Sequence, residues 1–301
     1  NYDNYSICQA GTDPTVTITG DPGSFSFAVV SGGPTLALNT TTGAVDASAS
    51  SPGVYDITYL TNDPTCFSDS TVQMTINLTP IVDPVTDQTV CDGAPFTVIN
   101  FTGTPGATFN WTNDNTSIGL GANGAGNNIA SFNGTNTGAS QISGLITVTP
   151  TLGTCVGTPT TFNLNVDPIP VVNAGVDQTV CTPNTVTLTA TNPNGAVISW
   201  DNGVADGTAF APAVGTITYT VTANLAGCIA TDVVDVTVNP LPIVGAGIDQ
   251  TVCEGTVVTL TANNPDGATI TWDNGVNDGI AFNPPVGATT TYTVTADLLT
   301  C

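Results

Sequence analysis

The sequence predicts an all-β chain of tandem antiparallel β-sandwich modules. Three observations carry that prediction. Apolar residues alternate with polar ones in short runs such as TVTIT, VQMTIN and TYTVTA, separated by clusters of Gly, Pro, Asn and Asp. This is the period-two signature of half-buried strands joined by tight turns. No segment holds a sustained helical stripe, and the dominant Thr and Val are strand formers that are poor in helices. Finally, a unit recurs: AGVDQTVC, TVTLTA, ISWDNGV, TYTVTA and GC return as AGIDQTVC, VVTLTA, ITWDNGV, TYTVTA and a final Cys. Trp200 returns as Trp272, 72 residues on, and Tyr219 as Tyr292, 73 residues on, so one residue is added after Gly287. A fixed period of this size marks an array, which is usually a spacer or a surface.

Residues 1–80 read as a first β-sandwich module. TVTIT, FSFAVV and LALN lead to the turn NTTTG, and then VYDITY and VQMTIN alternate strictly. Residues 81–168 read as a second, divergent module, opening with DPVTDQTVCDG and carrying Trp111 in ATFNWTN. Its long Gly/Asn-rich stretch, GLGANGAGNNIASFNGTNTGAS, reads as an irregular edge or inter-strand loop. A binding loop is the sharper alternative, because exposed loops carry recognition. Residues 169–240 and 241–301 are the near-identical third and fourth modules, the fourth cut before its last strand. The junctions NLTPIV, VDPIPVV and NPLPIV are short and hold proline, which presets an extended backbone and predicts a semi-rigid rod. About seven short strands per module suit a sandwich. Each small core would be marginal alone.

Composition excludes several functions. The chain has no Lys, Arg or His against 23 acidic residues. Without His there is no Ser-His-Asp triad and no imidazole ligand for zinc. Without Lys or Arg there is no phosphate-binding patch, hence no nucleic-acid partner, and no intrachain salt bridge or Lys–Asn cross-link. The unbalanced charge attracts cations and opposes packing of copies unless it is screened. Eight cysteines, none in a metal-type CxxC pair, read as disulfides formed in an oxidising compartment. No signal peptide or membrane-spanning run is visible. The abrupt ends at Asn1 and Cys301 read as those of a segment of a longer secreted protein.

Two groups of side chains could carry chemistry. Trp111, Trp200 and Trp272 each sit in a third strand and read as core residues, against the alternative of exposed platforms for sugars. The WDNGVxDG turns hold Asp201, Asn202 and Asp206, then Asp273, Asn274 and Asp278, with Asp177 and Asp249 near the opening strand. Asn-Gly and Asp-Gly are favoured tight-turn residues. Closely spaced carboxylates could also hold calcium. No cofactor is required, and calcium is the one these residues would take. Sequons at Asn39, Asn77, Asn100 and Asn110 are weak signals in so Thr- and Asn-rich a chain. Carboxylate pairs of glycosidase type are allowed by residue type, but nothing marks a cleft.

The opening DQTVCxG, the strand VTLTA, the SW/TW-D-N-G turn and TYTVT…GC resemble immunoglobulin-like and PKD-like repeats. Such repeats fill very large surface proteins of the Bacteroidota exported by the type IX system. The second module, with TVINFTG, TFNWTNDNTSIGL and ITVTP, is similar to a PKD-like repeat of the same proteins. PKD domains proper carry a WDFGDG-type turn, where this chain has WDNGVADG. The resemblance implies a secreted, extracellular, cell-surface adhesin or filament similar to gliding-motility adhesins, and it transfers no catalytic residues. The expected function is therefore a non-catalytic structural and adhesive segment of a large secreted bacterial protein, forming an extended fibre. Its expected partners are other copies or neighbouring repeats of the same protein, surface glycans or other cells, with no membrane insertion. The alternatives are a passive spacer stalk of a large secreted enzyme, or a carbohydrate-binding module.

Two cysteine pairings stay open. The simpler gives one bridge per module: Cys8–Cys66, Cys91–Cys155, Cys181–Cys228 and Cys253–Cys301. Its spacings match, 47 residues in the third module and 48 in the fourth. It staples a small core that lacks other help, and is the expected scheme. Its difficulty is geometric. In an immunoglobulin-like order the two cysteines fall at opposite ends of the sandwich, and a disulfide needs Cα atoms within ~7 Å. The other scheme joins neighbouring modules: Cys155 to Cys8, Cys228 to Cys91 and Cys301 to Cys181. Cys66 and Cys253 are then left for flanking modules or other copies.

Overall fold

A computed structural model describes residues 1–301 apart from 4, 64, 66, 67 and 300. Among the described residues there is no α-helix, and the one helical element is a 3-10 turn, Thr116–Ile118. Asn115 caps it by accepting from the Ser117 N–H, and Gly119 ends it at φ 95°. The chain divides into two compact units, residues 1–168 and 169–301.

The first unit holds two main sheets. One runs in the order Ser6–Cys8, Asp69–Asn77, Gly53–Thr61, Gly23–Gly32. Its short opening strand lies parallel to the last strand, while the other neighbours are antiparallel. The alternation of VYDITY and VQMTIN puts Tyr55, Ile57, Met74 and Ile76 on one face, each at most 1% exposed. Leu36, Val45 and Ala47 complete that core.

The second sheet runs Asn123–Ala125, Thr108–Asn113, Ile142–Leu152, Thr160–Asp167, Gln88–Cys91. Again the opening strand, Gln88–Cys91, is parallel to the last. Two short ribbons, Ile99–Asn100 with Asn128–Ile129 and Pro95–Phe96 with Phe132–Asn133, bring Phe96, Ile99 and Ile129 into the same core as Ile146, Val148 and Leu164. The Gly/Asn-rich stretch is thus an irregular paired edge. Its glycine is needed where Gly124 lies opposite Trp111: a Cβ there would fall 2.6 Å from Cε2 and 2.8 Å from Nε1 of the indole. Two buried amides tie the remaining turns. Asn113 donates to the carbonyls of Asn115 and Leu120, and Asn136 to those of Ser140 and Val166. The carbonyls of Asn115, Leu120 and Ser140 lie outside every strand, so each buried amide satisfies backbone groups that no ladder reaches.

The second unit opens with the sheet Gln178–Cys181, Cys228–Asn239, Gly215–Leu225, Val197–Trp200. The parallel opening strand recurs, with Gln178 level with Val236 and Cys181 level with Asn239. Val186–Thr187 pairs with Ala209–Phe210, and Leu188, Trp200, Tyr219, Val221, Val234 and Val236 form the core. Beyond residue 240, Val258–Thr259 pairs with Ala281–Phe282 and Thr269–Trp272 with Val294–Asp297.

Candidate functional site

Two constructions recur in the structure: a tryptophan tied to an aspartate, and a disulfide that links an opening strand to a cysteine outside its sheet. The first begins with the turn. Asn202 and Gly203 stand at φ 52° and 73°, and Asn274 and Gly275 at 53° and 72°. Two consecutive left-handed residues are what a tight Asn-Gly turn requires, and the Val204 and Val276 N–H groups close it on the Asp201 and Asp273 carbonyls. Asp201 Oδ1 accepts from the Thr220 N–H at 3.0 Å and from the Asn202 amide at 3.1 Å. Asp273 does the same with Thr293 at 2.9 Å and Asn274 at 3.1 Å.

The second aspartate of each turn reaches the core. Trp200 Nε1 donates to Asp206 Oδ1 at 2.9 Å, and the same oxygen accepts from the Ala190 N–H at 2.8 Å. Trp272 and Asp278 repeat this at 2.8 Å, with the Ala262 N–H at 2.7 Å. A buried indole N–H needs such a partner. The bonds from Trp272 and Ala262 hold the Asp278 carboxyl below its ordinary range. Trp111, Trp200 and Trp272 are 8%, 8% and 5% exposed, so they are core residues and offer no platform for a sugar.

The residues named as calcium ligands are therefore distributed over separate tasks. Asp177 Oδ1 accepts from the Asp235 N–H at 2.9 Å, beside the opening strand, and Asp249 stands exposed. Among the described residues no three acidic or cysteine side chains gather where one ion could bind them. The W-x5-D spacing present in both repeats was the sequence signal of the indole–carboxylate bond; reading it only as turn or calcium chemistry missed that bond.

The cysteines correct the expected pairing. Cys8 is bonded to Cys155 and Cys181 to Cys301, each with Cα atoms 5.6 Å apart. Cys91 and Cys228 are disulfide-bonded as well. Each bridge joins a cysteine of an opening strand to one outside that strand's own sheet, so Cys8–Cys66, Cys91–Cys155, Cys181–Cys228 and Cys253–Cys301 do not form. Cys253 is free and exposed, and Cys66 lies outside the described residues.

The reason is the parallel opening strand. Cys181 is level with Asn239, at the far end of a strand that begins at Cys228. At ~3.3 Å per residue the two sulfurs' backbones stand roughly 36 Å apart, far beyond disulfide reach. The same holds for Cys91, level with Asp167, against Cys155. Within each unit the opening strand instead carries its cysteine, Cys8 or Cys181, to a partner outside its own sheet. There Cys155 stands level with Leu152 in a short antiparallel pair, and Cys301 exchanges backbone bonds with Leu298. Asn239 donates to the Leu299 carbonyl at 3.4 Å.

No family model and no curated protein matches this chain. Among solved structures, extracellular domains 3–5 of Drosophila OTK match at 16% identity, covering 78% of this chain and 93% of that one, with a TM-score of 0.34. The I-band fragment I67–I69 from titin matches at 11% identity over 79% and 98%, with a TM-score of 0.38. Human CDH23 EC21–23 matches at 14% identity over 77% and 96%, with a TM-score of 0.36. Likeness at this level assigns no family and transfers no property. Among the described residues no helix is long and apolar enough to cross a membrane.

Proposed function

We propose that this chain is a non-catalytic structural and adhesive segment of a secreted bacterial surface protein. It comprises four β-sandwich repeats, with boundaries near 80, 168 and 240, forming part of an extended fibre. The observation that supports this reading is the disulfide pattern. Cys8–Cys155 and Cys181–Cys301 tie one repeat to the next. A bridge inside a repeat staples one core, whereas a bridge between repeats prevents them from being pulled apart. That is a device for carrying tension along a chain. The absence of Lys, Arg and His fits the same role, since the sequence holds no basic side chain for catalysis or for anion binding.

The test is mechanical. A single chain held by its two ends is stretched before and after reduction. The bridged cysteines are separated by 147 and 120 residues, which the bridges withhold from extension. At about 3.5 Å per residue, reduction is expected to release on the order of 900 Å of additional length. Equal extension of the oxidised and reduced chains would remove the mechanical reading.

A further inference from the structure

One long strand on the rim of a sheet stands open. Gly23–Gly32 ends the first sheet and pairs only with Gly53–Thr61. It is ten residues long, while the other strands that end the three main sheets have three or four. A long exposed edge is a ready template for another strand, and proteins usually blunt it with lysine or proline. This chain has no lysine, and the strand GSFSFAVVSG holds no proline and no charge. Phe27, Val29 and Val30 are 38%, 44% and 51% exposed.

The register shows which groups this edge offers. Phe25 lies opposite Tyr59, Phe27 opposite Ile57 and Val29 opposite Tyr55. The Phe25 N–H donates away from its partner strand, to the Thr40 carbonyl at 2.7 Å. Opposed residues of an antiparallel pair alternate between bonded and non-bonded, so the N–H and C=O of Phe27 and Val29 also point outward. Among the described residues no hydrogen bond uses the Phe27 or Val29 N–H. The Thr40 bond closes the edge on one side, and the bulge between Val29 and Ser31 interrupts it on the other. The open stretch is Phe27 to Val29.

We propose that this edge docks a second copy of the chain, as an antiparallel strand pair about a twofold axis beside Ala28. Phe27 of each copy then faces Val29 of the other, and the two pairs exchange four main-chain bonds that match every outward group. Each pair sets an aromatic ring against a β-branched side chain, a favourable cross-strand combination. A shift of two residues sets Val29 against Phe25, whose N–H is taken, or Phe27 against Ser31, past the bulge. The open stretch is thus complementary to itself, as a twofold contact requires. Charge selects the same occupant. Residues 22–45 carry no charged side chain, so a basic partner finds nothing there to attract it, whereas a copy of net charge -23 can approach. Asp56, opposite Ala28 one strand back, accepts from Gln73 at 3.1 Å. In the pair the two Asp56 carboxylates stand three strand spacings apart, roughly 14 Å, beyond the ~8 Å Debye length of physiological salt.

Sedimentation of the intact oxidised chain should show a reversible dimer. It should bind at least about threefold more tightly at 1 M than at 0.01 M ionic strength, because salt screens the acidic repulsion. Val29→Pro removes an N–H that the strand's own sheet does not use, as edge strands allow. It should abolish the dimer while circular dichroism and the thermal melt stay close to the parent's. Cysteine cross-linking in a Cys253→Ser background reads the register. Ala28→Cys, beside the axis, should form an interchain disulfide, with Cα atoms about 4.5 Å apart. Ser26→Cys, on the same face, would stand roughly 13 Å from its copy along the strand and should not. A chain that stays monomeric at every ionic strength, a dimer that salt weakens, a folded Val29→Pro chain that dimerises like the parent, or equal cross-linking by the two cysteine variants would overturn the proposal.

Discussion

Asp206 and Asp278 each hold a core tryptophan by its only polar atom, and each does so with an oxygen that also pins a neighbouring backbone N–H. This makes the core of a charged-poor sandwich depend on an ionised carboxylate at its rim. For Asp278 the sign of the pH dependence follows from its lowered pKa. A depressed folded value means that the stabilisation is complete above the ordinary carboxylate range, near about 4, and is lost as pH falls through the folded value. Asp46, held by Ser48 and the Ala49 N–H, and Asp87, held by Asn163, act in the same direction in the first unit. Thermal melts of the Asp278→Asn variant should therefore be less sensitive to acidification than those of the parent below that range. The amide oxygen still accepts from Trp272, so the variant should keep its fold at neutral pH. An identical acid response of the two chains would sever the link between this carboxylate and stability.

At the scale of the strand, the edge of the second sheet shows how a Gly-rich segment can be structural. Gly124 sits opposite Trp111 because any side chain there would meet the indole. Gly124→Val should cost about 1–3 kcal/mol in urea denaturation, as overpacking of a filled site does. Gly121→Ala, where the space is open, should cost little. Equal effects would mean that the tryptophan yields freely. The strands themselves were legible in the sequence, because strict alternation in VYDITY, VQMTIN and TYTVTA leaves only one face apolar. The burial of Trp111, Trp200 and Trp272 was legible too, from their place in a third strand. The cysteine pairing was not. It depends on whether the opening strand runs parallel or antiparallel to the last strand, and a three- or four-residue strand such as QTVC carries no signal of its neighbour's direction. Asn113 and Asn136 were also missed, because a buried amide looks like any other turn asparagine until the carbonyls around it are placed.

Over the whole molecule, 23 acidic groups face no basic side chain. No ion pair between side chains can offset their repulsion, and screening by dissolved cations falls to the solvent. Under that repulsion, small cores gain from covalent closure. In the chain-entropy account a bridge closing a loop of 120 or 147 residues contributes roughly 4–5 kcal/mol. Both bridges leave the sheet in which their first cysteine stands. The most direct measurement is mass spectrometry of the oxidised chain cut, without reduction, by an aspartate-directed protease, since there is no site for trypsin. It should yield one cross-linked peptide containing Cys181 and Cys301 and another containing Cys8 and Cys155. A peptide joining Cys181 to Cys228 would contradict the account.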